Sequence, residues 1–216
     1  MATTFYLGDD LGGADGDTTP PGNLSSDSDL LLGLGVKGTG VDTSSTDTVT
    51  GPTSGVQCKI RASQTSPISW WSNTLTGVTI SGTITFNIWG AENSMSANSG
   101  LQVIIDRCDG AGAFISEIIN SEKGTELPLT TRAVQNWTGS PTSTTLSTGD
   151  RLRVRVYGND AGGTMASGFR TIISFAGTTD GADGDSFISF TETITEGSAA
   201  AANPPRSTQM TQLLAH

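Results

Sequence analysis

Asp180, Asp183 and Asp185 stand together in the run TDGADGDS (179–186), and an earlier copy of its core, GADGD, occupies 13–17. Closely spaced carboxylates are what a calcium loop needs, because the ion takes several hard oxygen ligands at once. The spacing here is D-x-x-D-x-D, whereas an EF-hand alternates its acids and closes on a Glu in twelfth place; Glu192 is thirteenth from Asp180. Calcium also binds irregular loops of β-sandwiches, so the three aspartates stand as the one candidate cation site. The competing explanation needs no ion. Asp beside Gly builds a turn whose carboxylates accept hydrogen bonds from their own backbone, and a strand pattern begins at Phe187. The copy at 13–17 fits either a similar turn or chance in a chain rich in these residues.

Residue types that catalysis uses are scarce. The one histidine is His216, which removes Ser-His-Asp and Cys-His sites and any histidine-based metal centre, short of the end of the chain folding back. Glu117 and Glu122 have the chemistry of glycoside hydrolysis, which requires two carboxylates at fixed separation, yet nothing sets them apart from surface acids. No Gly-rich stretch runs from a strand into a helix start, so there is no phosphate cradle. Cys58 and Cys108 lack a CxxC partner, which argues against zinc. Both sit in strand-like runs and read as buried free thiols, with one disulfide as the alternative. The chain is expected not to be an enzyme and to need no cofactor, calcium at the aspartates aside.

Recognition chemistry remains. Trp70, Trp71, Trp89 and Trp137 are the largest side chains, and an exposed indole can stack on a sugar ring. At Trp70-Trp71 a strand points the two rings to opposite faces, so at least one is expected in the core or a subunit interface. Trp89 falls on the Thr/Asn face of its strand and is expected to be partly exposed. Arg151, Arg153 and Arg155 line one face of RLRVRVY (151–157). That stripe is either a solvated face that discourages edge pairing or a basic track for an acidic arm of a neighbouring subunit.

The elements that must position these residues have period two. In VTISGTITFNI (78–88) Val78, Ile80, Ile84, Phe86 and Ile88 share a face and Gly82 marks a bend or bulge; Leu152, Val154 and Val156 repeat the pattern opposite the arginines. Further strand runs are Val56–Ala62, Leu101–Cys108, Ala113–Ile119, Gly168–Ala176 and Ser186–Thr195, with the shorter Ile68–Ser72 and Thr142–Ser147 as weaker ones. No stretch carries a helical period. Seven to nine short strands separated by Gly, Asp and Asn predict an all-β fold, an antiparallel β-sandwich of jelly-roll type. It spans 51–196. Residues 1–50, where eight aspartates face Lys37 alone (−7 of the total −10), predict an acidic N-terminal arm that docks on a neighbour, and 197–216 a second, extended arm. An acidic chain without clustered Lys and Arg is not expected to bind nucleic acid. With no apolar run near the length of a membrane span and no basic, apolar leader at Met1–Leu7, neither a membrane segment nor a secretory signal is expected.

The run WWSNTLTGVTISGTITFNIWGAE (70–92), with GDRLRVRVY (149–157), GGTMASG (162–168) and DGADGDSFISFTETI (180–194), resembles a group of tailed-bacteriophage virion proteins of the head decoration (cement) or minor structural type. The likeness spans about two thirds of the chain, and TTFYL (3–7) fits it; the Asp-rich 8–50 looks like an addition. The resemblance implies a non-catalytic virion protein on the capsid surface, made in the host cytoplasm. Its partners would be the major capsid protein and, in a homotrimer, itself. Arg151, Arg153, Arg155, Trp70, Trp71 and Trp89 are then the interface candidates. The alternative from the same residues is a carbohydrate- or receptor-binding head on a phage fibre or spike.

Overall fold

A computed structural model describes residues 2–8, 32–34, 57–61, 68–92, 94, 96–129, 131–160, 171–175 and 184–197. Thirteen strands run through them: β1 (Thr3–Leu7), β2 (Leu32–Leu34), β3 (Gln57–Arg61), β4 (Ile68–Trp71), β5 (Val78–Ile80), β6 (Ile84–Glu92), β7 (Ser99–Cys108), β8 (Phe114–Lys123), β9 (Ala133–Gly139), β10 (Thr144–Leu146), β11 (Arg151–Asp160), β12 (Thr171–Phe175) and β13 (Phe187–Phe190). Among the described residues there is no helix, and hence none long and apolar enough to cross a membrane.

Two antiparallel sheets form a sandwich. One has the order β2-β1-β13-β6-β12-β3, with β9 also on β6; the other runs β4-β11-β7-β8, and β5 with β10 makes a small third ladder. The all-β antiparallel sandwich is thus as the alternating pattern predicts. Alternation sets which side chains meet. Phe5, Leu7, Ile84, Phe86, Ile88, Ile173, Phe175, Ile188 and Phe190 from the larger sheet close on Trp70, Leu101, Val103, Ile105, Leu152, Val154 and Val156 from the smaller. Each fully buried apolar side chain contributes about 1.5–3 kcal/mol relative to exposure.

β6 is the spine of the larger sheet. β9 pairs along Ile84–Gly90, so β13 on Ile84–Asn87 and β12 on Trp89–Glu92 share the other edge end to end. Ser186 fills the junction between them. Its hydroxyl donates to the Ser174 carbonyl at 2.6 Å and accepts the Trp89 amide at 2.9 Å, replacing the ladder bonds that the break would lose.

Two expectations need correction. The run 78–88 is not one strand: at Ser81–Thr83 it breaks, and β5 leaves to pair with β10 while β6 stays in the sandwich. The sandwich also does not begin at 51. β1 lies inside the larger sheet between β13 and β2, with Phe5 and Leu7 buried in the core. The reason is the alternation Thr3, Phe5, Leu7 on one side and Thr4, Tyr6 on the other, too short to stand out against the polar stretch after it. Residues 9–31 and 35–50 of the expected N-terminal arm, 51–56 of the expected sandwich and 198–216 of the C-terminal arm lie outside the described residues.

Candidate functional site

The arginine face of the smaller sheet carries the densest charged chemistry in the described structure. β11 sends Leu152, Val154 and Val156 inward, so Arg151, Arg153, Arg155 and Tyr157 take the outer face. Register on β7 sets Asp106 opposite Arg153 and Cys108 opposite Arg151, and register on β4 sets Trp71 opposite Arg153. Asp106 is fully buried and held by both inner arginines. Arg155 grips it with a two-pronged fork, Nε to Oδ2 at 2.7 Å and Nη2 to Oδ1 at 2.9 Å, while Arg153 Nε donates to Oδ2 at 2.9 Å. Arg155 also donates to the Tyr157 hydroxyl at 2.6 Å, and the Arg153 guanidinium lies over the Trp71 ring at 5.4 Å.

Burial alone would weaken the Arg155 charge, but its bonds to Asp106 outweigh that and raise it above its ordinary value. Arg151, which reaches the Ser72 and Gly110 carbonyls instead of a carboxylate, is lowered by burial. Burial pushes the Cys108 thiol up to about 11, so at neutral pH it is an unreactive thiol rather than a nucleophile. It is free, and Cys58 lies on β3 in the other sheet.

This arrangement revises the expectation of a basic stripe. Two of the three arginines are already engaged by Asp106, leaving a pre-organised plate whose three arginines and one aspartate sum to +2. Asp106 was not singled out from sequence, since it sits inside an apolar strand run. A lone acid there, opposite an R-x-R-x-R strand, was the available signal. At the margin of the plate the edge strand β8 presents Phe114, 57% exposed and opposite Cys108 in register, followed by Ile115 at 43%.

The tryptophans divide as parity requires. Trp70 is core, edge-on to Phe175 at 5.2 Å with its Nε1 donating to the Gly8 carbonyl; it is therefore no interface residue. Trp71, on the outer face, is covered to 2% exposure. Trp137 is half-buried, stacked on Phe86 at 4.8 Å. Trp89 is half-buried as expected from its face, and its indole N–H is enclosed without a partner among the described residues.

Of the three aspartates only Asp185 falls among the described residues, where it is buried and its carbonyl accepts Asn87 Nδ2 at 2.7 Å; Asp180 and Asp183 lie outside them. Gly184 takes a positive φ of 83°, the turn geometry that a Gly-Asp pair supplies. Glu117 and Glu122 are exposed on β8 with no shared site. Among the described residues no three of His, Cys, Asp or Glu group to hold a metal.

No protein-family model and no curated protein matches the chain. Solved structures do. Two crystal structures of a CocE/NonD family hydrolase from Staphylococcus aureus match at 12% identity with TM-scores of 0.53 and 0.54, over 88% of this chain and 36% of theirs. A xylan-binding domain, CBM22-1 from Paenibacillus barcinonensis, aligns at 12% identity over 67% of this chain and 85% of its own, with a TM-score of 0.29. The chain spans about a third of the length of the hydrolases, and at this identity the likeness to them is one of fold.

Proposed function

We propose that this chain is a non-catalytic structural protein of a bacteriophage virion, of the capsid decoration kind. In this reading it docks on the major capsid protein and on copies of itself as a homotrimer, and reinforces the shell. The observation that supports this best is the placement of the tryptophans. Trp70 and Trp71 are buried and Trp89 and Trp137 half-buried, so none is offered as an open platform for a sugar ring. What the described surface does offer is a pre-organised plate of Asp106, Arg153 and Arg155, rimmed by exposed Phe114 and Ile115. A rigid plate loses little side-chain freedom on docking, and an aromatic anchor beside fixed charge is the composition of protein interfaces. Many weak copies of such a contact on a symmetric shell add through effective concentration. The sequence resemblance supplies the assignment to a virion.

The second reading, a glycan- or receptor-binding head, rests on the part of the Trp89 and Trp137 rings that stays at the surface, since both are half-buried. Quantitative mass spectrometry of purified particles separates the two. Copies comparable in number to the major capsid protein support decoration of the shell; a handful moves the chain to a fibre or spike; absence from particles overturns both.

A further inference from the structure

Along one edge of β6, β12 and β13 run in the same direction, and both pair antiparallel to it. Ser174 stands opposite Trp89 and Phe187 opposite Asn87, two positions apart on β6 but thirteen apart on the β12–β13 stretch. Eleven residues, 176–186, are therefore extra (13 − 2). Continued by one position, the β12 register sets Phe175 opposite Ile88, and the next place on β6 belongs to Phe187. Parity survives the break as well. Ile173 and Phe175 are core, Phe187 is outward beside Asn87, and Ile188 is core again. β12 and β13 are two halves of one strand with a loop drawn out between them.

The loop emerges on the outer face of the larger sheet. Asn87 and Trp89 face outward, since Phe86 and Ile88 are core, and Asn87 Nδ2 holds the Asp185 carbonyl there. Ser186 closes the break itself: besides its two hydroxyl bonds, its carbonyl accepts the Leu7 amide at 2.9 Å. On this same face the sheet is sealed. Ala91 and Ile172, opposite each other, are 0% and 2% exposed, and Ser174 is 0%, yet neither Ala91 nor Ile172 belongs to the core between the sheets. β12 is thus buried on both faces. The described strands do not supply the cover, because they make up the two layers, and the third ladder gives Ile80 and Leu146 to the core.

We propose that residues 176–186 are an insertion into a single strand, dispensable for the sandwich, and that 176–183 is the segment covering the outward patch of Trp89, Ala91, Ile172 and Ser174. Reach and route agree. Eight residues pinned at both ends extend about 13 Å out and back. Ile172, three positions from the break, is about 10 Å away at the rise of a strand. The segment 161–170 starts elsewhere: it runs from Asp160, opposite Ser99, to Thr171, whose hydroxyl is bonded to that of Ser99, so both its ends sit at the inner side. The run TDGADGD (179–185) then belongs to an added element and not to the sandwich. An element added to a finished strand is free to carry contacts without disturbing the core.

Excision tests both parts of the proposal. Deleting 176–186, which joins Phe175 to Phe187, should keep a cooperative thermal transition and the same far-ultraviolet circular dichroism. Deleting 176–187 moves Ile188 and every later residue of β13 to the opposite face, and that variant should not fold. The eleven-residue deletion should also raise acrylamide quenching of tryptophan fluorescence and shift the emission to the red. Both changes should vanish when Trp89→Phe is added. Replacing 176–183 by eight Gly and Ser residues keeps Gly184–Ser186 in place, and it should raise the quenching in a chain of unchanged length. Two deletions that both unfold, or both fold, overturn the insertion. Trp89 quenching that stays at the level of the unmodified protein in the folded deletion or in the replacement overturns the cover and assigns it to another segment.

Discussion

Asp106 is the residue on which the outer plate turns. Its carboxylate is fully enclosed and takes charge-assisted bonds from two arginines whose own side chains are 22–23% exposed. Removing one partner of such a group costs more than the group adds, because the opposite charges stay behind. Asp106→Ala should therefore lower unfolding stability by about 3 kcal/mol in urea titration, while Arg151→Ala, with no carboxylate among its bonded partners, should cost under about 1 kcal/mol. Glu192 gives a pH test on the acid side. Burial works to raise its carboxyl, but the amides of Ser81 at 2.7 Å and Gly82 at 2.5 Å outweigh that and hold it below its ordinary value. Its stabilisation is present above the unfolded carboxylate value and lost as pH falls through the folded one, so Glu192→Gln should flatten the acid side of a melting-temperature profile. At this scale parity made Trp89 and the inward valines legible, and that one of Trp70 and Trp71 is core, but not which. Asp106 and Glu92 were not, because a charge inside a strand run looks the same whether its partner is water, an arginine or a backbone amide.

At the scale of elements, Gly82 does what its position in 78–88 announces. It ends β5 before β6 begins, and a Cβ there would stand 1.9 Å from Thr191 Oγ1 and 3.0 Å from Glu192 Oε1. Gly82→Ala should cost about 2 kcal/mol, from displacing the residues that tie this corner to β13. β1 is the element that pattern alone undervalued. Five alternating residues carry little signal, yet with β13 on one edge and β2 on the other the strand is interior to its sheet. Deleting residues 1–8 removes Phe5 and Leu7, worth about 2–5 kcal/mol each, and opens the sheet, so that variant should lose its cooperative thermal transition in circular dichroism. A truncation meant to test whether an acidic arm grips a shell must accordingly spare Thr3–Leu7. β9 was missed as well, since none of its side chains is fully buried and alternation is blurred.

For the whole molecule, the layered architecture followed from counting alternating runs, whereas the strand order did not, because pairing depends on which edges meet far apart in sequence. Docking through the plate margin predicts that Phe114→Ser, at a residue 57% exposed, leaves melting unchanged but weakens self-association in sedimentation. The pairing of Thr3 with Phe190 and Tyr6 with Phe187 has a further consequence, for the order of events at the ribosome. β1 ends at Leu7 and its edge-to-edge neighbour begins at Phe187, so the neighbour is synthesised 180 residues later (187 − 7). Contacts that span such a separation close slowly. Until then Phe5 and Leu7 travel uncovered, so ribosome-bound chains that end before residue 187 should be held by chaperones, and those that carry residues 1–197 followed by a flexible linker long enough to clear the ribosome should not.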